Sequence, residues 1–251
     1  MNSVKSHCQE TYLMQNTQKR TAFRAGLRTG LPIAIGYIPI AIAFGLLAKA
    51  AGIPNYVGML MSFVIFAGAS QFVGVNLLAL GAGFSEIVLT TFILNLRHFL
   101  MSASIAQRIE TTATKKWLAL LSFGLTDETF AVAALQNEPH LSRYFVLGLN
   151  LMAFSAWNFG TWIGLFLAAG LPESLKLSMG IALYVMFIAL LIPSMKKSQP
   201  VLVVSLLAMG IHTVLHWANF ANLSTGWMII IATVASALIG AILFEREDCT
   251  E

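Results

Sequence analysis

"FILNLRHFLMSASIA", residues 92–106, is an apolar run that carries a guanidinium and an imidazole, Arg97 and His98, side by side near its middle. It belongs to an uninterrupted segment at 86–106, about the 20 residues that a helix needs to cross a bilayer. Further apolar segments flank it at 31–51, 55–83, 117–136, 145–170, 175–193, 200–218 and 226–244, with short connections between them. Backbone polar groups in lipid must be satisfied within the chain, so each segment is read as helix. The expected fold is all-α: a polytopic integral membrane protein with about seven to eight transmembrane helices.

Composition points the same way. Of 251 residues, 57% are apolar and 10% charged, and the mean hydropathy of +0.77 lies outside globular proportions. Two regions are expected, a cytoplasmic N-terminal segment at 1–29 and a single transmembrane domain at 30–251, with no stretch left for a soluble catalytic domain. The net charge of +4 is spread between apolar segments rather than clustered on a polar face, which excludes a nucleic-acid partner. Lys5, Lys19, Arg20, Arg24 and Arg28 precede the first segment and place the N-terminus in the cytoplasm by the positive-inside rule. That leader has no short apolar core with a small-residue cleavage site, so no signal peptide is expected. Cys8 and Cys249 lie in the tails, away from any disulfide or metal-ligand spacing.

The basic loops leave the path of the chain open. If every segment crosses, the loop with Arg108, Lys115 and Lys116 falls outside and Lys196 and Lys197 fall inside; if 55–83 re-enters, both assignments reverse. A helix break is expected in that segment at "AGASQF", near Gly68–Gln71, because Gly, Ser and Gln weaken a helix or its lipid contact. "AAGIP" at 50–54 recurs as "AAGLP" at 168–172. The repeat suggests a duplicated half of the kind found in transporters.

Ionisable groups at membrane depth are costly and are usually paired or face a cavity. Here they are Arg97 and His98 in one segment and Asp127 and Glu128 of "LTDETF" in the next. Adjacent helical residues diverge by about 100°, so one carboxylate can pair with Arg97 while the other faces a water path or ligand. A purely structural role, fixing helix packing, is the competing reading. A desolvated carboxylate can exchange protons near neutral pH, which makes Asp127, Glu128 and His98 the candidate proton-coupling groups. Gly68, Ser70 and Gln71 could open a discontinuous helix whose N–H groups meet an anion, or simply permit close helix contact. Asn95, and Asn158 with Trp157 in "SAWNFGTW", are read chiefly as interhelical contacts, although Asn95 stands beside the charged pair. His212 and His216 share a helical face but lie near a segment end and are read as interfacial. Trp117, Trp217 and Trp227 read as interface anchors. No HExxH, Walker, GxSxG or dinucleotide pattern occurs. Ser70 with His98 is the one nucleophile and base pair to offer an enzyme, so neither enzyme nor cofactor is expected.

"IAFGLLAKAAG" (42–52), "FAGASQF" (66–72), "LNLRHFLMSASIA" (94–106) and "LTDETFAV" (125–132), in this order, resemble the AzlC family, the large subunit of branched-chain amino acid exporters. The resemblance implies efflux of valine, leucine, isoleucine and methionine across the cytoplasmic membrane, driven by the proton motive force, with a small AzlD-type membrane subunit as partner. A zwitterion with an apolar tail needs donors, acceptors and an apolar wall. Accordingly Gly68, Ser70, Gln71, Asn95, Arg97, Asp127 and Glu128 are the candidate substrate-binding residues, with Arg97 or the backbone at Gly68–Gln71 expected to meet the carboxylate and Asp127 or Glu128 the ammonium. A channel or permease for another solute, and a non-transporting scaffold subunit, are the rival expectations.

Overall fold

The computed structural model describes residues 2–167, 172, 174, 185, 188, 191–217 and 223–244. Its elements are helices: α1 (Asn2–Ala50), α2 (Asn55–Leu60) running into a π-helical turn (Met61–Ile65), α3 (Gly68–Ala79), α4 (Phe84–Arg108), α5 (Lys115–Phe123), α6 (Asp127–Ala134), α7 (Arg143–Phe166), α8 (Gln199–Trp217) and α9 (Thr225–Phe244). Four of them, α1 from Asn16 onward, α4, α8 and α9, are long and apolar enough to cross a membrane, and the protein is an all-α polytopic membrane protein. Most of the segment expected at 175–193, and most of the second "AAGLP" copy, lie outside the described residues. α1 passes through position 30 without interruption.

The bundle is built on α1 and α7, which run parallel and close together because glycines line the seam. A Cβ on Gly45 would stand 2.6 Å from the Thr161 carbonyl oxygen, and one on Gly160 would stand 2.7 Å from Ala41 Cβ. Gly26 meets Phe145, and Gly148 meets Phe23. Small residues let two backbones approach where lipid supplies no hydrophobic drive between helices. Around the seam, Phe44 stacks on Trp157 at 6.4 Å and meets Phe72 edge-on at 5.6 Å.

Contacts at the helix ends fix the path of the chain. At one end, Arg108 closing α4 donates to the carbonyls of Ala134, Gln136 and Glu138 at 2.7, 2.7 and 2.8 Å. There Glu110 pairs with Arg143 at 3.1 Å, and Lys19 sits 5.9 Å from the Tyr144 ring. At the other end, Lys49 closing α1 donates to Leu165 O at 3.0 Å, Gly58 of α2 lies against Leu165, and Glu86 at the start of α4 accepts from Ser224 and from Gly226 N at the start of α9. Gly240 lies against Val204, so α8 runs antiparallel to α9 and begins at the first end.

Both broken segments are therefore hairpins. α2 descends from the Lys49 end; α3 climbs back along α4, with Ser70 bonded to Asn95 at 2.6 Å and Gly74 beside Thr91. α5 and α6 enter and leave at the Arg108 end. With α2–α3, which opens to the Lys49 end, termed the outer hairpin and α5–α6 the inner one, the outer break falls at Phe66–Ala67, immediately before Gly68. The segment expected as continuous at 117–136 is broken too, at Gly124–Thr126. Its cause is local: Thr126 caps α6 through the Thr129 N–H while the Thr129 hydroxyl accepts from Thr126 N, a reciprocal capping box. Two hairpins returning to opposite ends dissolve the conflict among the basic loops. Lys19, Arg20, Arg24, Arg108, Lys115, Lys116, Arg143, Lys196 and Lys197 all gather at one end of the bundle.

Candidate functional site

The two hairpin tips meet in the interior. The outer tip turns through Phe66, whose φ of 43° is left-handed for a residue with a Cβ. Phe66 is held there by burial and an edge-on contact with Phe154 at 5.0 Å. The π-helical turn ahead of it is a form often found at functional sites. The inner tip presents Thr126, Asp127 and Glu128. Between the tips lies a cavity of about 30 Å³ walled by Tyr37, Phe66–Ala69, Arg97, His98, Thr126–Glu128 and Trp157. That is room for a water or two and too little for an amino acid.

Arg97 on α4 forms an ion pair with Asp127 on α6; both are partly exposed and both wall the cavity. Glu128 points elsewhere: the Tyr37 hydroxyl on α1 donates to Glu128 Oε2 and lies 2.7 Å from Thr126 Oγ1. The two carboxylates thus divide as their 100° separation demands. Each ties the inner hairpin to a different long helix. The outer hairpin is tied by neutral groups instead. Gln71 Nε2 donates to Ser62 Oγ at 3.0 Å, Ser62 lies 2.8 Å from Thr161 Oγ1 on α7, and Ser70 reaches Asn95.

Of the residues singled out from sequence, Gly68, Arg97, His98, Asp127 and Glu128 wall the cavity, whereas Ser70, Gln71 and Asn95 sit behind it and anchor the outer hairpin. The sequence does not single out Tyr37, Thr126, Phe66 or Ala67, brings in Ala69 only through the backbone at Gly68–Gln71, and presents Trp157 as packing. Tyr37 had a faint signal, a phenol between Pro32 and Pro39 in an apolar helix. Thr126 had a better one, a Thr three residues ahead of another Thr at a helix start. Asn158 donates to Phe154 O within α7. Among the described residues no three His, Cys, Asp or Glu are placed to hold a metal ion, so His212 and His216 gain no third ligand.

The signs around the cavity are ordered. α3 begins at Gly68 with no side-chain cap, leaving first-turn N–H groups without intrahelical acceptors. α6 begins with a filled cap and two carboxylates. The α3 tip offers backbone donors and the α6 tip carboxylates, and both wall the same cavity.

Residues 32–171 match a family profile described as AzlC protein. The chain is 36% identical to the inner membrane protein YgaZ of Escherichia coli over 74% of this chain and 78% of that protein. It is 34% identical to an uncharacterized membrane protein of Archaeoglobus fulgidus over 92% of this chain and 97% of that one. The branched-chain amino acid transport protein AzlC of Bacillus subtilis is 29% identical over 61% of each chain. No solved structure matches.

Proposed function

This chain belongs to the AzlC family, and on that footing we propose that it is the large subunit of a two-component exporter of branched-chain amino acids, driven by the proton motive force. It works in the cytoplasmic membrane with its basic end, N-terminus included, facing the cytoplasm, and it pairs with a small AzlD-type membrane subunit. The name of the Bacillus subtilis relative supports the substrate class. The observation that carries the reading is the meeting of two oppositely directed hairpin tips at a small interior cavity bearing both signs of charge.

In this scheme Gly68, Arg97, Asp127 and Glu128 contact the substrate, and Ser70, Gln71 and Asn95 hold the outer tip in place. Asp127 and Glu128, with His98 beside them, couple transport to protons. Protonating Asp127 removes the ionic tie of the inner hairpin to Arg97 on α4, protonating Glu128 weakens the hydrogen bond from the Tyr37 hydroxyl on α1, and either weakens the attraction for the substrate's ammonium group. The inner hairpin is then the moving gate, while the outer one, tied by neutral hydrogen bonds, answers to substrate rather than to pH. Asp127→Asn and Glu128→Gln break the coupling at its source.

The test is efflux of valine, leucine, isoleucine and methionine from cells loaded with the corresponding dipeptides, with this chain alone and with its small partner. Saturable export that requires both proteins, and that loses its pH response in Asp127→Asn or Glu128→Gln, supports the proposal. Export with an intact pH response in both variants removes their coupling role. No export in either arrangement removes the exporter.

A further inference from the structure

The described residues do not seal the ion pair at the centre of the site. Arg97 lies about 20 Å along α4 from Phe84 and about 16 Å from Arg108 at 1.5 Å per residue, near the middle of the membrane. Its side chain is nevertheless 35% exposed, and that of Asp127 is 29% exposed.

Helical spacing shows which way that opening faces. Residues three and four apart share a face, so Glu86, Thr90, Arg97, Leu100 and Ser104 line one side of α4. Toward the Lys49 end that side is covered: Glu86 and Thr90 are buried, and Glu86 holds the start of α9. Toward the Arg108 end the cover stops, for Leu100 is 68% exposed and Ser104 is exposed as well. On α6, Ala131 and Ala134 follow Asp127 along its face and are also exposed.

Neither lipid nor water suits this strip. Lipid offers no hydrogen-bond partner to the uncovered part of a guanidinium and a carboxylate, and water is a poor neighbour for Leu100, Ala131 and Ala134. A protein helix meets both needs. Ser104, Ala131 and Ala134 are small, so a second backbone can come close, and a polar side chain on it can reach the ion pair.

Resting on the two-component reading above, we infer that this strip is where the second chain docks. One transmembrane helix of the small subunit lies along α4 and α6 in the Arg108 half of the membrane. It sets small residues against Ala131 and Ala134 and a hydroxyl, amide or carboxylate group at the depth of Arg97. The substrate site is then walled by two chains, and the need for a partner has a physical reason: without it the ion pair faces lipid.

Benzoylphenylalanine placed at Leu100 or at Ala131 tests this by photocrosslinking in membranes of cells that express the full chain with its small subunit. Both positions should give an adduct of the combined mass, whereas Phe92, 62% exposed on another side of α4, should give none. Ala131→Trp fills the strip and should lower the small subunit recovered with the chain about 10-fold or more, while the chain purified alone keeps its melting temperature. Where a variant at Ala131 does not fold, Leu100 takes both the crosslinker and the tryptophan. An adduct with a second copy of this chain, with another part of the same chain or with lipid alone overturns the proposal, as does undiminished recovery in the tryptophan variant. A small subunit that co-purifies and crosslinks only from other faces removes this surface and leaves the two-component exporter standing. A chain that exports alone and binds no small subunit removes both.

Discussion

The hairpin path of α2–α3 and α5–α6 makes a prediction about sidedness that a straight reading of hydropathy contradicts. At 1.5 Å per residue, the run Asn55–Ile65 is about 16 Å long, α3 about 18 Å, α5 about 14 Å and α6 about 12 Å, each near half of a hydrocarbon core of about 30 Å. Each arm therefore reaches the middle of the membrane and stops. Single cysteines at Tyr56, Gly83, Thr111 and Glu138, all exposed positions, mark the four arm ends once Cys8 and Cys249 are replaced by Ser. With the basic end in the cytoplasm, a membrane-impermeant maleimide should label Tyr56→Cys and Gly83→Cys in intact cells. Thr111→Cys and Glu138→Cys should react only in inverted vesicles. Labelling of Tyr56→Cys and Gly83→Cys from opposite sides would refute the outer hairpin, and a split between Thr111→Cys and Glu138→Cys would refute the inner one. If all four sites keep their pairing but exchange sides, the fold survives and the cytoplasmic assignment of the basic end falls.

Four further outcomes follow from particular contacts. Gly160→Val should force α7 off α1, because even a Cβ there would stand 2.7 Å from Ala41 Cβ and 2.8 Å from Ile38 O; a loss of about 1–3 kcal/mol is expected, read as a lower melting temperature that Ala41→Gly partly restores. Arg97→Lys should keep the charge yet impair efflux, since an ammonium lacks the planar fork that meets a carboxylate. Exchanging the pair, Arg97→Asp with Asp127→Arg, should recover melting temperature without recovering transport, whereas full efflux from the exchanged protein would favour a scaffold role. Glu86→Ala should loosen α9 from α4 by leaving the Ser224 hydroxyl and Gly226 N–H without their acceptor, at about 1–3 kcal/mol; an unchanged melting temperature would show that this carboxylate does not hold the helices together.

The four ionisable residues were legible in the sequence because charge at membrane depth is rare and expensive. Arg97, His98, Asp127 and Glu128 stand out of apolar runs with no structural knowledge at all, and the pairing of Arg97 with one of the two carboxylates followed from helix geometry. Tyr37 and Trp157 did not stand out. An aromatic in an apolar helix looks the same whether it packs against lipid, a neighbouring helix or a ligand. Among the described aromatic residues, the unpaired indole nitrogen and the link from Tyr37 to Glu128 set these two apart.

The sequence by itself determined that the chain is helical, that it lives in a membrane, and which residues are too costly to be there without a purpose. Composition and segment length suffice for that, since a backbone in lipid has few options. Tertiary structure alone decided the direction of the chain. Two half-length helices joined at a tip contain as many apolar residues as one full crossing, so segment 117–136 reads as a span and 55–83 stays open between crossing and re-entry, when each turns back. The difference lies in long-range contacts: Arg108 reaching the carbonyls after α6, Ser70 reaching Asn95, and Lys49 reaching the end of α7. Hydropathy measures how much of a segment prefers lipid; only contacts between distant residues tell on which side it comes out.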